Sequence, residues 1–182
     1  MPEFTQEIAK SLYESFFFTI MIAILIARIK INYFKNIYII AIINSIGTIF
    51  HELLHYIFGL ILGARPTRFS LLPKATESGY VLGSVSFAGL RSWQAPPIAL
   101  APLVLLPVAY LIDQYFFSYV SFNLATYFAY VFALVVSIEN ALPSIADIKV
   151  AASFPLSLFL WMMAVIGTGA AFLRVTGAWG IL

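Results

Sequence analysis

The sequence predicts an all-α polytopic membrane protein, a bundle of about five transmembrane helices with a small β-hairpin between the second and the third. Three observations carry this. Of the 182 residues, 62% are hydrophobic and 10% are charged, whereas a soluble domain has roughly 45–50% apolar and about 25% charged residues. Apolar runs recur along the chain at about the 20 residues that a helical crossing needs. Cysteine is absent, which removes both a disulfide framework and thiolate metal ligands. So apolar a chain can be neither a soluble fold nor a disordered one. The net charge of +2 is scattered over loops, which excludes nucleic acid as a partner. The expected unit is a single integral membrane domain over residues 1–182, with its core at about 37–160. Its expected location is the plasma membrane of a prokaryote.

A bilayer offers no partner to backbone N–H and C=O groups, so each apolar run is expected as a helix. The first covers about 12–27 and closes on Arg28 and Lys30. Glu3, Glu7 and Glu14 lie in or before it, unlike the positive start of a secretory signal, so it is read as a retained helix. The second covers about 37–62. Residues 63–94 then hold Arg65, Arg68, Lys74, Glu77 and Arg91. Within them, 69–72 and 80–87 are expected as strands joined by a turn at 73–79, lying at the membrane surface; an ordinary basic loop is the competing expectation. A third helix follows Pro96 and Pro97 and ends near Ile112, before Asp113. The fourth covers about 118–138 and the fifth about 151–173. With the N-terminus inside, Lys10, Arg65, Arg68, Lys74, Arg91 and Lys149 face the cytoplasm and Arg28, Lys30, Lys35 and Arg174 the other side, which is the orientation the positive-inside rule favours.

The second helix contains His51-Glu52-Leu53-Leu54-His55, an H-E-x-x-H pattern. Residues four apart lie one turn apart on one helix face. Two neutral imidazoles so placed suit one Zn²⁺ per chain, and Glu52 is placed to take a proton from water that zinc has made acidic. Both histidines of the chain lie in this motif. An ionisable group inside an apolar span costs at least about 2.5–3.5 kcal/mol on insertion scales, so such a cluster points to function more than to a structural polar seam. Asn44, Thr48, His51 and His55 follow at steps of four, three and four, which puts them on one face, expected to line a wet cavity. Gly47 and Gly59 are expected to let neighbouring helices approach.

A catalytic zinc site has three protein ligands and one open position. No histidine remains, so the third ligand is expected to be a carboxylate. Glu3, Glu7 and Glu14 are near the start, Glu77 is in the basic loop and Asp113 is at a helix end on the other side. The segment 139–147 returns to the side on which the second helix ends, and Pro143 interrupts it. Asp147 is the expected ligand, with Glu139 second. A competing role for Asp147 is to cap the following helix.

At these residues the chain resembles the site-2 protease family of intramembrane zinc metalloproteases. The resemblance rests on His51-Glu52-Leu53-Leu54-His55 within a helix, on Asn140-Ala141-Leu142-Pro143 followed by Asp147, and on the small residue–Pro pair Ala101-Pro102. Ile148 stands where the family has Gly after its Asp. The resemblance implies hydrolysis of peptide bonds in membrane-embedded substrates. It implies zinc held by His51, His55 and Asp147, Glu52 as general base and then acid, and Asn140 on the substrate backbone. The expected partners are a membrane protein or peptide substrate and the bilayer. A strand in 63–94 is expected to hold the unwound substrate by β-augmentation. Two other functions fit the motif: a prenyl-protein-protease type of membrane zincin, with Glu139 as third ligand, and a metal or proton carrier using the same polar site.

Overall fold

A computed structural model describes Met21, Ile22, Leu25 and residues 37–72, 74–76 and 79–175. The expected first helix, apart from those three residues, lies outside the described residues, as do Lys10, Arg28, Lys30, Lys35 and part of the 73–79 turn. The described chain is mostly helical. In order it forms α1 (Ile37–Ile61), β1 (Pro66–Ser70), β2 (Lys74–Thr76), β3 (Gly79–Val81), β4 (Ser84–Phe87), α2 (Ala95–Ala99), a 3₁₀ turn (Ala101–Val104), α3 (Leu105–Tyr119), α4 (Leu124–Ala141), α5 (Ile145–Ala152) and α6 (Pro155–Val175). It divides into two compact units. One comprises Met1–His51, Ser70–Ser84 and Leu103–Leu142; the other comprises Glu52–Phe69, Val85–Pro102 and Pro143–Leu182. The dividing line falls inside the continuous helix α1.

In the first unit α3 and α4 pack together. Ala109, Tyr130, Val131, Leu134 and Val135 form their buried core, with Ile112, Phe116, Phe117 and Tyr127 against it. The ring of Tyr130 lies 5.2 Å from Phe117 and 5.7 Å from Phe116, within the range of favourable aromatic pairs. Asp113 does not end a helix as expected. It sits inside α3 because the Tyr130 hydroxyl donates to its Oδ1 at 2.6 Å, which gives the carboxylate a partner among apolar neighbours. The fourth helix starts six residues later than expected, at Leu124. Asn123 caps it: its side chain accepts from the Thr126 N–H, and the Thr126 hydroxyl accepts from the Asn123 N–H. This reciprocal box fixes the first turn.

In the second unit α1 ends in a Schellman turn. Gly63 has φ +70°, the Ala64 N–H donates to the Gly59 carbonyl at 2.8 Å, and the Gly63 N–H donates to Leu60 at 3.0 Å. Gln94, almost fully buried, donates to the Leu62 carbonyl and accepts from the Arg91 N–H. A Cβ on Gly59 would strike the Phe87 ring of β4, so the neighbour that this glycine admits is a strand rather than a helix. At Gly47, in the first unit, a Cβ would overlap the Asn140 amide of α4, and there the neighbour is a helix, as expected.

The hairpin region is a nested pair rather than one hairpin. β1 pairs with β4, and β2 pairs antiparallel with β3 in the register Lys74↔Val81, Ala75↔Tyr80, Thr76↔Gly79. The outer strand begins three residues before the expected 69, at Pro66, whose missing N–H is tolerated at a strand start.

The last run also differs from expectation. α5 precedes α6 as a separate eight-residue helix, and the two meet at a bend of 100°. Pro155 opens α6, since a proline cannot continue the helix before it and suits the first turn of the next. Among the described residues two segments, Ala101–Tyr119 and Leu124–Ala141, are long and apolar enough to cross a membrane, and α5 with α6 makes a third if the bent pair is one span.

Candidate metal centre

The motif sits in the middle of α1. Thr48, Glu52 and His55 are its buried polar residues, while Asn44 and His51 are half-buried. The most shielded polar line on the helix therefore runs through Glu52 rather than through His51. Glu52, His55 and Asp147 belong to the second unit; His51 is the residue just before the dividing line, one turn from His55 on the same helix.

Each histidine is anchored through Nδ1. His51 Nδ1 lies 2.8 Å from the Asn140 carbonyl, and His55 Nδ1 lies 2.7 Å from the Ile98 carbonyl. A carbonyl only accepts, so each ring must carry its proton on Nδ1, which places the lone pair on Nε2. This is the arrangement that metal-ligating imidazoles adopt.

Both carbonyls are available for a local reason. In an α-helix a carbonyl accepts from the N–H four residues on. For Ile98 that residue is Pro102, which has no N–H. For Asn140 it is Ser144, whose N–H donates instead to Asp147 Oδ2 at 2.8 Å. Neither carbonyl receives the N–H four residues on, and an imidazole docks on each. Pro102→Ala restores a competing donor for Ile98. The expected result is a roughly 10–100-fold loss of affinity for a divalent metal, the effect of removing an outer-sphere partner, measured by competition with a chromogenic chelator.

Asp147 is held as tightly. It is the third residue of α5, and Ser144 is the N-cap. The Ser144 N–H and hydroxyl both donate to Oδ2, at 2.8 and 2.6 Å, and the Asp147 N–H donates back to the Ser144 hydroxyl. The other oxygen, Oδ1, lies 3.5 Å from His55 Nε2. The capping role and the approach to histidine thus coexist on one carboxylate, one oxygen for each. The Ser144-x-x-Asp147 spacing announces the box; in the competing expectation Asp147 itself is the cap, whereas the cap is Ser144.

His51, His55 and Asp147 offer ligand atoms that all lie within 4.8 Å of one another. Tetrahedral zinc with bonds of about 2.0–2.2 Å sets its ligands roughly 3.3–3.6 Å apart. The His55–Asp147 pair already has that spacing. Two nitrogens and one carboxylate oxygen fit a divalent ion with a position left open; the donor set suits zinc and also other first-row metals.

Glu139 is not in this group. It lines a cavity of the first unit with Asn44, Gly47 and Asn140. Asn140 reaches the centre through its main chain; its Nδ2 donates to the Val136 carbonyl at 2.8 Å. Asp113 is hydrogen-bonded by Tyr130 in α3. Sequence reading missed Ser144, Ile98 and the physical role of Pro102. Comparisons with family models, with curated proteins and with solved structures give no match, so the chemistry of the centre rests on its own geometry.

Proposed function

We propose that the chain is an intramembrane zinc metalloprotease, similar in mechanism to the site-2 protease family. The observation that carries this reading is the pair of Nδ1-anchored imidazoles with a capped carboxylate, beside the buried Glu52. The zinc supplied to such a site lowers the pKa of a bound water to about 7 and polarises the scissile carbonyl. His51, His55 and Asp147 hold the ion. Glu52 accepts the proton of the attacking water and delivers it to the leaving amine, as base and then acid. Asn140, which lines the adjoining cavity, takes the substrate main chain. The nested strands β1 to β4 offer edges on which an unwound substrate can lie. A multi-pass membrane location fits the apolar surface: on α6, Leu156, Phe159, Leu160, Met162, Met163, Val165 and Ile166 are all exposed, far more than a soluble helix leaves bare. Crossings beyond the two or three long apolar helices belong to this proposal, as do the prokaryotic plasma membrane and the peptide substrate.

The purified chain in lipid nanodiscs tests the reading. One zinc per chain by mass spectrometry is expected, with cleavage of a model transmembrane peptide that stops on chelation and returns with zinc. Chelator-resistant cleavage, or no cleavage by a zinc-loaded chain, overturns it. Metal flux into liposomes without cleavage identifies a carrier.

A further inference from the structure

The first unit contains a cavity of about 350 Å³, near the lower end of the roughly 300–1,000 Å³ usual for ligand pockets. Its length is apolar: Val131, Phe132, Val135 and Val136 line it. One set of polar groups is Asn44, Glu139 and Asn140. Asn140 is the residue whose carbonyl holds the His51 ring, so an occupant touching it lies next to a metal-ligating side chain. The other polar group is Tyr127. This residue also lines the cavity, and its hydroxyl is shut off from solvent without a hydrogen-bond partner among the described residues. A buried hydroxyl without a partner is destabilising, and a ligand that supplies the partner recovers that loss.

We propose that this cavity is the specificity pocket of the centre, and that it takes one large aromatic side chain with a hydrogen-bonding tip, tyrosine or tryptophan, from the residue beside the scissile bond. The proposal rests on the protease reading. The hydrocarbon walls take the ring, the Tyr127 hydroxyl meets the phenol or indole N–H, and the amides of Asn44 and Asn140 meet the peptide backbone. A lipid acyl chain would use the walls and leave the Tyr127 hydroxyl unmatched.

The test is a series of model transmembrane peptides in nanodiscs, identical except for one position scanned as Tyr, Phe or Ala. Cleavage sites are read by mass spectrometry. Moving the tyrosine is expected to move the cut with it. Val136→Phe, which fills the cavity, is expected to lower the ratio of Tyr-peptide to Ala-peptide rates by roughly tenfold or more. Tyr127→Phe is expected to bring the Tyr and Phe peptides to equal rates. A cut that ignores the tyrosine, or equal losses on all peptides in Val136→Phe, overturns the pocket while leaving the protease reading intact. A binding arm is independent of turnover: a peptide carrying a photoreactive tyrosine analogue is irradiated with the Glu52→Gln protein. Labelling within 127–140 supports the pocket even if no peptide is cut, a result that would sink the protease reading alone. Labelling elsewhere, or labelling abolished by added lipid, overturns the pocket.

Discussion

Glu52→Gln lowers turnover of a model membrane peptide by about 10²–10⁴-fold, the usual contribution of a positioned acid–base group, while the chain keeps its metal. The side chain is 6% exposed. Glutamine matches its volume and leaves no cavity, but its amide cannot take a proton from water. The glutamine amide can still hydrogen-bond at that position, so the helix is expected to persist. The assay therefore pairs kcat with zinc per chain and a thermal unfolding midpoint on the same preparation. Lower kcat with unchanged KM is the signature of an interaction made in the transition state. Unchanged turnover removes Glu52 from the base role.

Asp147→Asn separates the two tasks of that residue. The amide oxygen still accepts from the Ser144 N–H, so α5 keeps its cap, which is typically worth about 1 kcal/mol. What disappears is the negative oxygen 3.5 Å from His55 Nε2. A neutral amide is a poorer ligand for a divalent cation than a carboxylate, so zinc affinity is expected to fall by at least about 10–100-fold, the range seen for outer-sphere changes alone. Activity returns at raised zinc if the fold is intact. Isothermal titration with zinc measures the first effect and far-ultraviolet circular dichroism checks the helix. If zinc affinity is unchanged, Asp147 is only a cap. If Glu139→Ala lowers zinc affinity instead, the third ligand is Glu139.

Much of the centre is legible in the sequence. His51, Glu52 and His55 carry a spacing that only a helix turns into a cluster, and the return of 139–147 to the end of the second helix follows from counting crossings. The lengths of the apolar runs place α1 closely. The rest depends on pairings that hydropathy does not register. Asp113 reads as a terminator until the Tyr130 hydroxyl is opposite it. Asn123 and Thr126 start α4 by a reciprocal hydrogen bond, where hydropathy alone puts the start earlier. Pro102 is visible in the resemblance to a family motif, but its effect is an absent N–H four residues beyond Ile98, and that matters only once His55 is beside the carbonyl. The nested strands are only partly legible, because short polar strands carry little periodicity.

The Ser144–Asp147 box binds the fate of one short helix to the supply of an ion. A ligand that favours the assembled state raises its stability in proportion to the logarithm of concentration over Kd, about 2.7 kcal/mol at a hundredfold excess. If the same carboxylate serves cap and ion, that gain is delivered to Ile145–Ala152 as well as to the imidazoles. Without that ion this stretch would be the first to fray and the natural place for housekeeping proteases to begin, so the chain's lifetime would track the ion's supply.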